Sequence, residues 1–282
     1  MTFNQLDEEQ IEAFPGIANL IGKKGLKFGH INVNGLVNKL SQIKQLLLES
    51  NFSILAVTEI HLSKKIKDIK IKIDGYELIR QDRKGKNNWG GTLIYHKEHL
   101  NMYELDYDKN MKAIESVWAE VILKSQKILV ACIYRPPDDK KFLDKLIPIL
   151  EKYSHRSNIM LLGDLNIDLA KGDSYLTPQL HRSLAKVALQ NVIKDYTRIT
   201  ENSKTLSDLA IIPVNDTKIL RSGSYGSAIS DHNLIYVTMN YFIDRTPPKL
   251  RTVKDYKNVD ENKHFCSPLL FFAVFILRFF RN

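Results

Sequence analysis

Short segments that are apolar on both faces and end in polar residues constrain this chain more than any other feature. "KILVACIYRPP" (127–137) and "NIMLLGDLN" (158–166) show no apolar/polar alternation in their first halves. A strand of that kind has no face to give to water, so it must lie in a sheet covered on both sides. "LKFGHINV", "FSILAVTE", "GGTLIYHK", "SVWAEVIL", "LSDLAIIP" and "NLIYVTMNYF" read as further strands. Helical patterns lie between them. In "LVNKLSQIKQLLLES", Leu36, Leu40, Ile43 and Leu47 recur at spacings of four, three and four, one face of a helix. "KFLDKLIPILEKY" predicts a helix kinked or shortened by Pro148. "TPQLHRSLAKVALQ" predicts one with Thr177 as N-cap and Pro178 at its first position. Many strands with a few interleaved helices indicate an α/β fold with its sheets buried between other layers.

This pattern runs from Lys27 to about Ile243. Residues 1–26 read as a loosely attached leader, 27–243 as the domain, and 244–282 as a charged, Pro-containing linker with an apolar tail. The tail's run from Leu269 to Phe280 is 12 residues and contains Arg278, against the roughly 20 a spanning helix needs, so no stable membrane insertion is expected. Cys132 and Cys266 make no disulfide framework; the chain reads as intracellular and reduced, nuclear or cytoplasmic. Its 41 basic and 32 acidic residues leave a net charge of +9. That excess favours a polyanionic partner such as nucleic acid or an anionic membrane surface.

Chemistry-bearing residues gather at the strand ends. "HINVNG" places Asn32 and Asn34 there, "AVTEIHL" places Glu59, and "CIYRPPDD" places Tyr134 and Arg135. "LLGDLNIDL" places Asp164 and Asn166 two apart, on one face if extended. "TLSDLAII" puts Asp208, and "ISDHNLIY" puts Ser230, Asp231 and His232, at strand starts. Ser230, Asp231 and His232 are consecutive and cannot form a triad, because neighbours on an extended segment face opposite ways. His232 therefore needs an orienting carboxylate from elsewhere, and Asp208 is the candidate. Acids, amides and a His without Cys suit a hard cation, Mg²⁺ or Mn²⁺, that keeps waters and leaves room for phosphate. Hydrolysis of a phosphodiester would then need an in-line water, a group to take its proton, and donors for the charge on phosphorus. Glu59 would be the metal ligand, Asp164 and Asn166 would orient the water, and His232 would serve as base or electrostatic clamp.

In this order, "HINVNGL", "TEIHL", "IYRPP", "LLGDLN", "LSDLAII" and "SDHNLI" resemble the motifs of the endonuclease/exonuclease/phosphatase superfamily. That family includes pancreatic deoxyribonuclease, apurinic endonucleases, inositol polyphosphate phosphatases and neutral sphingomyelinases. The resemblance covers roughly residues 27–243. It implies a DNase I-like four-layer α/β sandwich, with two packed mixed sheets flanked by helices. It also implies Mg²⁺ at Glu59, with Mn²⁺ as the alternative, and Asn32 and Asn34 near metal and substrate. Tyr134 contacts the phosphate, Asp164 and Asn166 position the water, Asp208 pairs with His232, and Asp231 supports the metal or His232. Arg135 and Ser230 fall on the substrate side, and the general base is either Asp164 or His232.

"CIYRPPDD", "YTRITENSKTLSDLAI" and "PPKLRTVKDYKN" look most like the apurinic-type endonuclease domain of non-LTR (LINE-like) retrotransposons. There the domain nicks DNA and a downstream reverse transcriptase extends the freed 3′-hydroxyl. Thr197 or Thr200 would match a DNA-contacting position. No reverse transcriptase follows in this sequence, and the apolar tail departs from the usual linker, so a truncated or frame-disrupted element is expected. Two alternatives stand beside the DNA endonuclease. One is a phosphatase or phospholipase of the same fold; the other is an inactive nucleic-acid-binding remnant. Basic segments at Lys64, Lys65, Lys67, Lys70 and Lys72 and at Arg80, Arg83, Lys84 and Lys86 read as solvated loops or as phosphate contacts. Trp89 would reach a groove or pack under its loop.

Overall fold

Two-sided apolar strands need cover on both faces, and a computed structural model shows how they obtain it. It describes residues 13–241 apart from 85–88, 106–108, 125, 155–157, 172–174 and 215. In chain order the elements are α1 (Ile17–Ile21), β1 (Leu26–Asn32), α2 (Leu40–Ser50), β2 (Ile54–Thr58), β3 (Tyr76–Gln81), β4 (Thr92–Lys97), β5 (Met102–Glu104), β6 (Glu115–Leu123) and β7 (Gln126–Tyr134). They continue with α3 (Phe142–Tyr153), β8 (Asn158–Asp164), α4 (Leu176–Lys186), β9 (Leu189–Asn191), β10 (Arg198–Ile199), β11 (Lys204–Thr205), β12 (Asp208–Pro213), β13 (Ile219–Tyr225) and β14 (Leu234–Met239).

The strands form two six-stranded mixed sheets and a small hairpin, β10–β11. The first sheet has the order β13-β14-β1-β2-β4-β3, and the second β5-β6-β7-β8-β12-β9. Each has a parallel pair at its centre, β1–β2 and β7–β8, with antiparallel neighbours outside. Side chains alternate between layers as the period of two requires. From β1, β2 and β14, Phe28, Ile54, Ala56, Ile235 and Val237 enter the core shared with the second sheet. Ile31, Leu55, Val57, Leu234 and Tyr236 face the other way, into a core closed by Ile43, Leu46 and Leu47 of α2. The second sheet buries its outer face under Phe142, Leu146 and Leu150 of α3 and Leu180 and Leu184 of α4. The result is the expected four-layer α/β sandwich.

Several local expectations change. Residues 13–25, assigned to a loose leader, pack onto the first sheet. Phe14, Ile17 and Ile21 are buried there, each burial worth roughly 1.5–3 kcal/mol. Glu49 accepts the backbone N–H groups of Ala13 and Phe14, and Thr238 donates to the Ile21 carbonyl. The rest of the leader, the linker, the apolar tail and Cys266 lie outside the described residues. α3 runs on through Pro148. α4 starts at Leu176 without a side-chain cap. Thr177 lies inside its first turn and donates to the Asp168 carbonyl. "VALQ" leaves the helix at Ala188, in the left-handed region, and begins β9. Among the described residues no helix is long and apolar enough to cross a membrane.

Candidate active site

The ends of the two parallel pairs and the starts of β12 and β14 meet at one edge of the sandwich. Gly163 sets the approach of β8 to β7: a Cβ there would sit 1.9 Å from the Ile133 carbonyl oxygen. This glycine in "LLGDLN" serves close strand packing and brings Tyr134 level with Asp164. From the facing sheet, Asn32 Nδ2 donates to Asp164 Oδ2 at 3.0 Å and to Glu59 Oε1 at 2.9 Å. His232 Nδ1 lies 2.9 Å from Asp208 Oδ2, so the structure joins the His to the carboxylate anticipated for it. Asp231 turns away and binds Arg198 Nε at 2.8 Å.

The backbone turns sharply where these strands end. Asn34 and Asn166 adopt φ of 44° and 48°, a region that Asn tolerates through its short polar side chain. Each donates its N–H back two residues, Asn34 to Asn32 Oδ1 and Asn166 to Asp164 Oδ1. The one-face expectation for Asp164 and Asn166 fails at this turn, and the Asn166 amide donates to the Arg135 carbonyl instead. Asn34 is exposed at the rim.

Burial shapes the electrostatics. Asp164 is 1% exposed. Its burial and the Asp208 charge push its carboxyl up to about 7, against the pull of His232, the Asn166 N–H and Asn32. Burial opposes a charged His232, but Asp208, by charge and hydrogen bond, together with the charges of Asp164 and Asp231 outweighs it and lifts the imidazole to about 9. Burial, then the charge of Glu59, holds the Tyr134 phenol protonated well above its ordinary range. Its ring carries the Arg83 guanidinium 5.4 Å from the centroid.

Four residues anticipated on the substrate side make their hydrogen bonds within the chain. Arg135 is 2% exposed and donates to the carbonyls of Pro137, Asp139, Leu165 and Asn166. It ties two site loops together. Thr197 is fully buried; its hydroxyl accepts the N–H groups of Ser207 and Asp208 and anchors the latter. Thr200 lies at the β10–β11 turn, where its hydroxyl meets Ser203. Ser230 donates to the Asn32 carbonyl and accepts the His232 N–H, lashing the His232 loop to β1. Asn32, expected to help bind metal, spends its NH₂ on two carboxylates and its oxygen on the Asn34 N–H.

Two participants escaped the sequence reading. His30 is fully buried, with Nε2 3.1 Å from Thr58 Oγ1 and Nδ1 3.5 Å from Asp208 Oδ1; burial drops it to about 4. It stands behind Asp208, opposite His232. Its place two residues before Asn32, on the same strand face, was the available signal. Arg198, flanked in sequence by Thr197 and Thr200, is the group that holds Asp231.

Among the described residues two places near the site offer donors to a cation. Asp164, Asp208 and His232 put ligand atoms within 4.8 Å of one another. All three are buried, Asp208 and His232 are committed to each other, and a protonated His232 repels a cation. Glu59, with its side chain 22% exposed, is an accessible hard oxygen donor and fits a divalent ion that keeps its waters.

A family model for endonuclease/exonuclease/phosphatase proteins matches residues 29–232. The endonuclease domain of TRAS1, a telomere-specific non-LTR retrotransposon, superposes with a TM-score of 0.58 at 14% identity, over 76% of this chain and 98% of that one. The AP endonuclease LMAP from Leishmania major gives 0.64 at 13% identity, over 76% and 87%. The 3′ phosphatase NExo from Neisseria, bound to product DNA hairpin, gives 0.60 at 16% identity, over 77% and 100%. No curated protein matches by sequence. At these identities the structural likeness establishes the fold. The family match runs from the strand that delivers Asn32 to His232 itself, and the chain belongs to the endonuclease/exonuclease/phosphatase family.

Proposed function

We propose that this protein is a divalent-metal-dependent DNA endonuclease that nicks target DNA for the reverse transcription of a non-LTR retrotransposon. One observation carries the reading: Asn32 joins Glu59 to Asp164 beside the buried Asp208–His232 pair. That arrangement sets an accessible metal-type carboxylate next to a proton acceptor and a held cation.

Glu59 would hold the ion, Mg²⁺ by the preference of that cation for few carboxylates and several waters. When bound, such an ion offsets charge developing on the phosphate oxygens. Asp164, lifted toward neutrality by its burial, has the affinity of an effective general base at physiological pH. It takes the proton of the attacking water as the P–O3′ bond breaks, and the departing O3′ takes up a proton from solvent, leaving a 5′-phosphate and a 3′-hydroxyl. His232, kept protonated by Asp208, faces the phosphate as a fixed positive charge. Tyr134 donates from its phenol, which remains protonated throughout.

DNA is favoured over a soluble phosphate ester by charge. The chain carries +9, and a cleft of about 750 Å³ lined by Lys64, Lys65, Arg80, Arg83 and Lys84 matches a phosphate backbone. The test is conversion of supercoiled plasmid to the nicked form in Mg²⁺ and in EDTA, with Glu59→Ala and His232→Ala as controls. Nicking abolished by EDTA and by either substitution is expected. Equal activity in the variants, or faster turnover of inositol phosphates or sphingomyelin than of DNA, overturns the assignment.

A further inference from the structure

Trp89 stands out as a large aromatic side chain left in water beside a polar site. The sequence has two tryptophans; Trp118 is 2% exposed and Trp89 is 74% exposed. The backbone that carries it is pinned. The Gly90 carbonyl accepts the His61 N–H at 2.8 Å, and the Gly91 carbonyl accepts the Ile60 N–H at 3.4 Å. The Gly91 N–H donates to the Glu115 carboxylate. Arg83 and Glu115 occupy the space that a Cβ on Gly90 would need. Segment 89–91 is therefore laced to segment 59–61, in which Glu59 and His61 both take positive φ, 52° and 53°. Backbone strain at non-glycine residues persists where surrounding contacts enforce it.

The side chains continue that order. The Trp89 indole stacks on the His61 imidazole with centroids 6.4 Å apart and planes 24° apart. His61 Nε2 lies 3.5 Å from Glu59 Oε2. A continuous shelf thus runs from the proposed metal carboxylate through imidazole to indole. It borders the basic cleft through Arg83, which touches both the cleft and the Gly90 position.

We infer that His61 and Trp89 form a stacking platform for an unpaired nucleobase of the strand whose phosphate is cut. The inference rests on the phosphodiesterase reading of the Glu59 site. A flat π surface pairs with any base, whereas the cations of the adjoining cleft hold the backbone phosphates. A base inside a duplex covers both its faces with neighbours, so the one that stacks on Trp89 is bulged, frayed or extruded. The platform thereby selects distorted or partly single-stranded DNA over a fully paired duplex, without reading its sequence.

The experiment is binding in EDTA, where no cleavage occurs. The probes are a DNA duplex with one bulged thymine, the same duplex with an abasic residue at the bulge, and the fully paired duplex. Binding of the bulged duplex should quench tryptophan fluorescence, because Trp118 is buried and Trp89 carries the response. Trp89→Phe should lose the quench and keep the Kd within about threefold, since Phe still stacks. Trp89→Ala should raise the Kd for the bulged duplex about 5- to 150-fold, the equivalent of the ~1–3 kcal/mol of one stacked base. It should erase the preference over the abasic and paired probes. Absence of quenching, or a Trp89→Ala protein with wild-type preference, overturns the platform. A wild-type protein that quenches and discriminates but does not nick plasmid upholds the platform and removes the nuclease reading.

Discussion

The two sheets share a strand pattern and differ in what they expose. In the orders β13-β14-β1-β2-β4-β3 and β9-β12-β8-β7-β6-β5 every neighbouring pair has the same sense, with one parallel pair in each. The site residues match in the same way. Asn32 ends β1 as Asp164 ends β8, Glu59 follows β2 where Tyr134 ends β7, and His232 precedes β14 as Asp208 starts β12. Asn32 meets Asp164 and His232 meets Asp208, and Tyr134 feels the charge of Glu59. Yet the Glu59 side chain is 22% exposed, whereas Asp164 and Asp208 are 1% and 0% exposed. One architecture thus supplies an open carboxylate from one sheet and desolvated ones from the other. Under the proposed function, exposure more than residue type would place the metal on the first sheet and the proton on the second.

The strongest way to break this division is to neutralise one carboxylate at a time. Asp164→Asn should cut plasmid nicking roughly 10²–10⁴-fold by removing the proton acceptor. Stability in urea should change by less than about 2 kcal/mol, because relief of a buried charge is offset by an amide NH₂ turned toward the Asn32 NH₂ or the Asn166 N–H. Glu59→Gln should also lose activity but recover partly as Mg²⁺ is raised, if its proposed role is affinity for the ion. Equal metal rescue of both variants would erase the distinction between the sheets.

The cross-sheet ion pair comes next. Asp208→Ala leaves His232 without its partner at 7% side-chain exposure. A loss of about 3 kcal/mol in urea unfolding is expected, the low end for a broken buried pair because His232 can shed its proton. A loss under 1 kcal/mol would mean the sheets are not coupled through this pair.

A smaller, pH-dependent effect sharpens the same point. The folded-state pKa of His232, about 9, lies above its ordinary 6.5. The folded protein therefore holds this proton more tightly, and the stability it contributes is complete below pH 6.5 and lost as pH rises through about 9. The gap in unfolding free energy between wild type and His232→Gln should close across that window. A gap constant from pH 6 to 9.5 refutes the pairing as an ion pair. The smallest effect is expected at the rim. Arg198 and Asp231 are 46% and 38% exposed, so Arg198→Ala should cost no more than about 1 kcal/mol by thermal unfolding.

Much of the fold was legible because β periodicity and two-sided apolarity are local properties. "KILVACIY" and "NIMLLGD" could only be central strands, and they became β7 and β8. Edge strands were missed: the end of β3, Arg80 and Gln81, falls in a segment read as a basic loop, and β5 and β13 carry weak patterns over exposed positions. At the site, polar strand ends marked Asn32, Glu59, Asp164, Asp208 and His232 as partners. They could not separate Arg135 from them, because a polar residue at a strand end looks the same whether it faces substrate or caps a carbonyl; Thr197 came from the resemblance alone. His30 was hidden for the opposite reason, lying inside a strand where a histidine reads as filler.

By itself the sequence determined which segments are buried strands, in what order polar groups leave them, and that Asp231 and His232 diverge. Tertiary structure alone decided which of those groups meet. Asn32 and Asp164 are 132 positions apart, and no local rule sets the distance between the ends of two stacked sheets. Desolvation is likewise a property of the assembled layers. The layers bury Asp164 and raise its carboxyl pKa, while they leave Glu59 partly open to solvent and Trp89 standing in water.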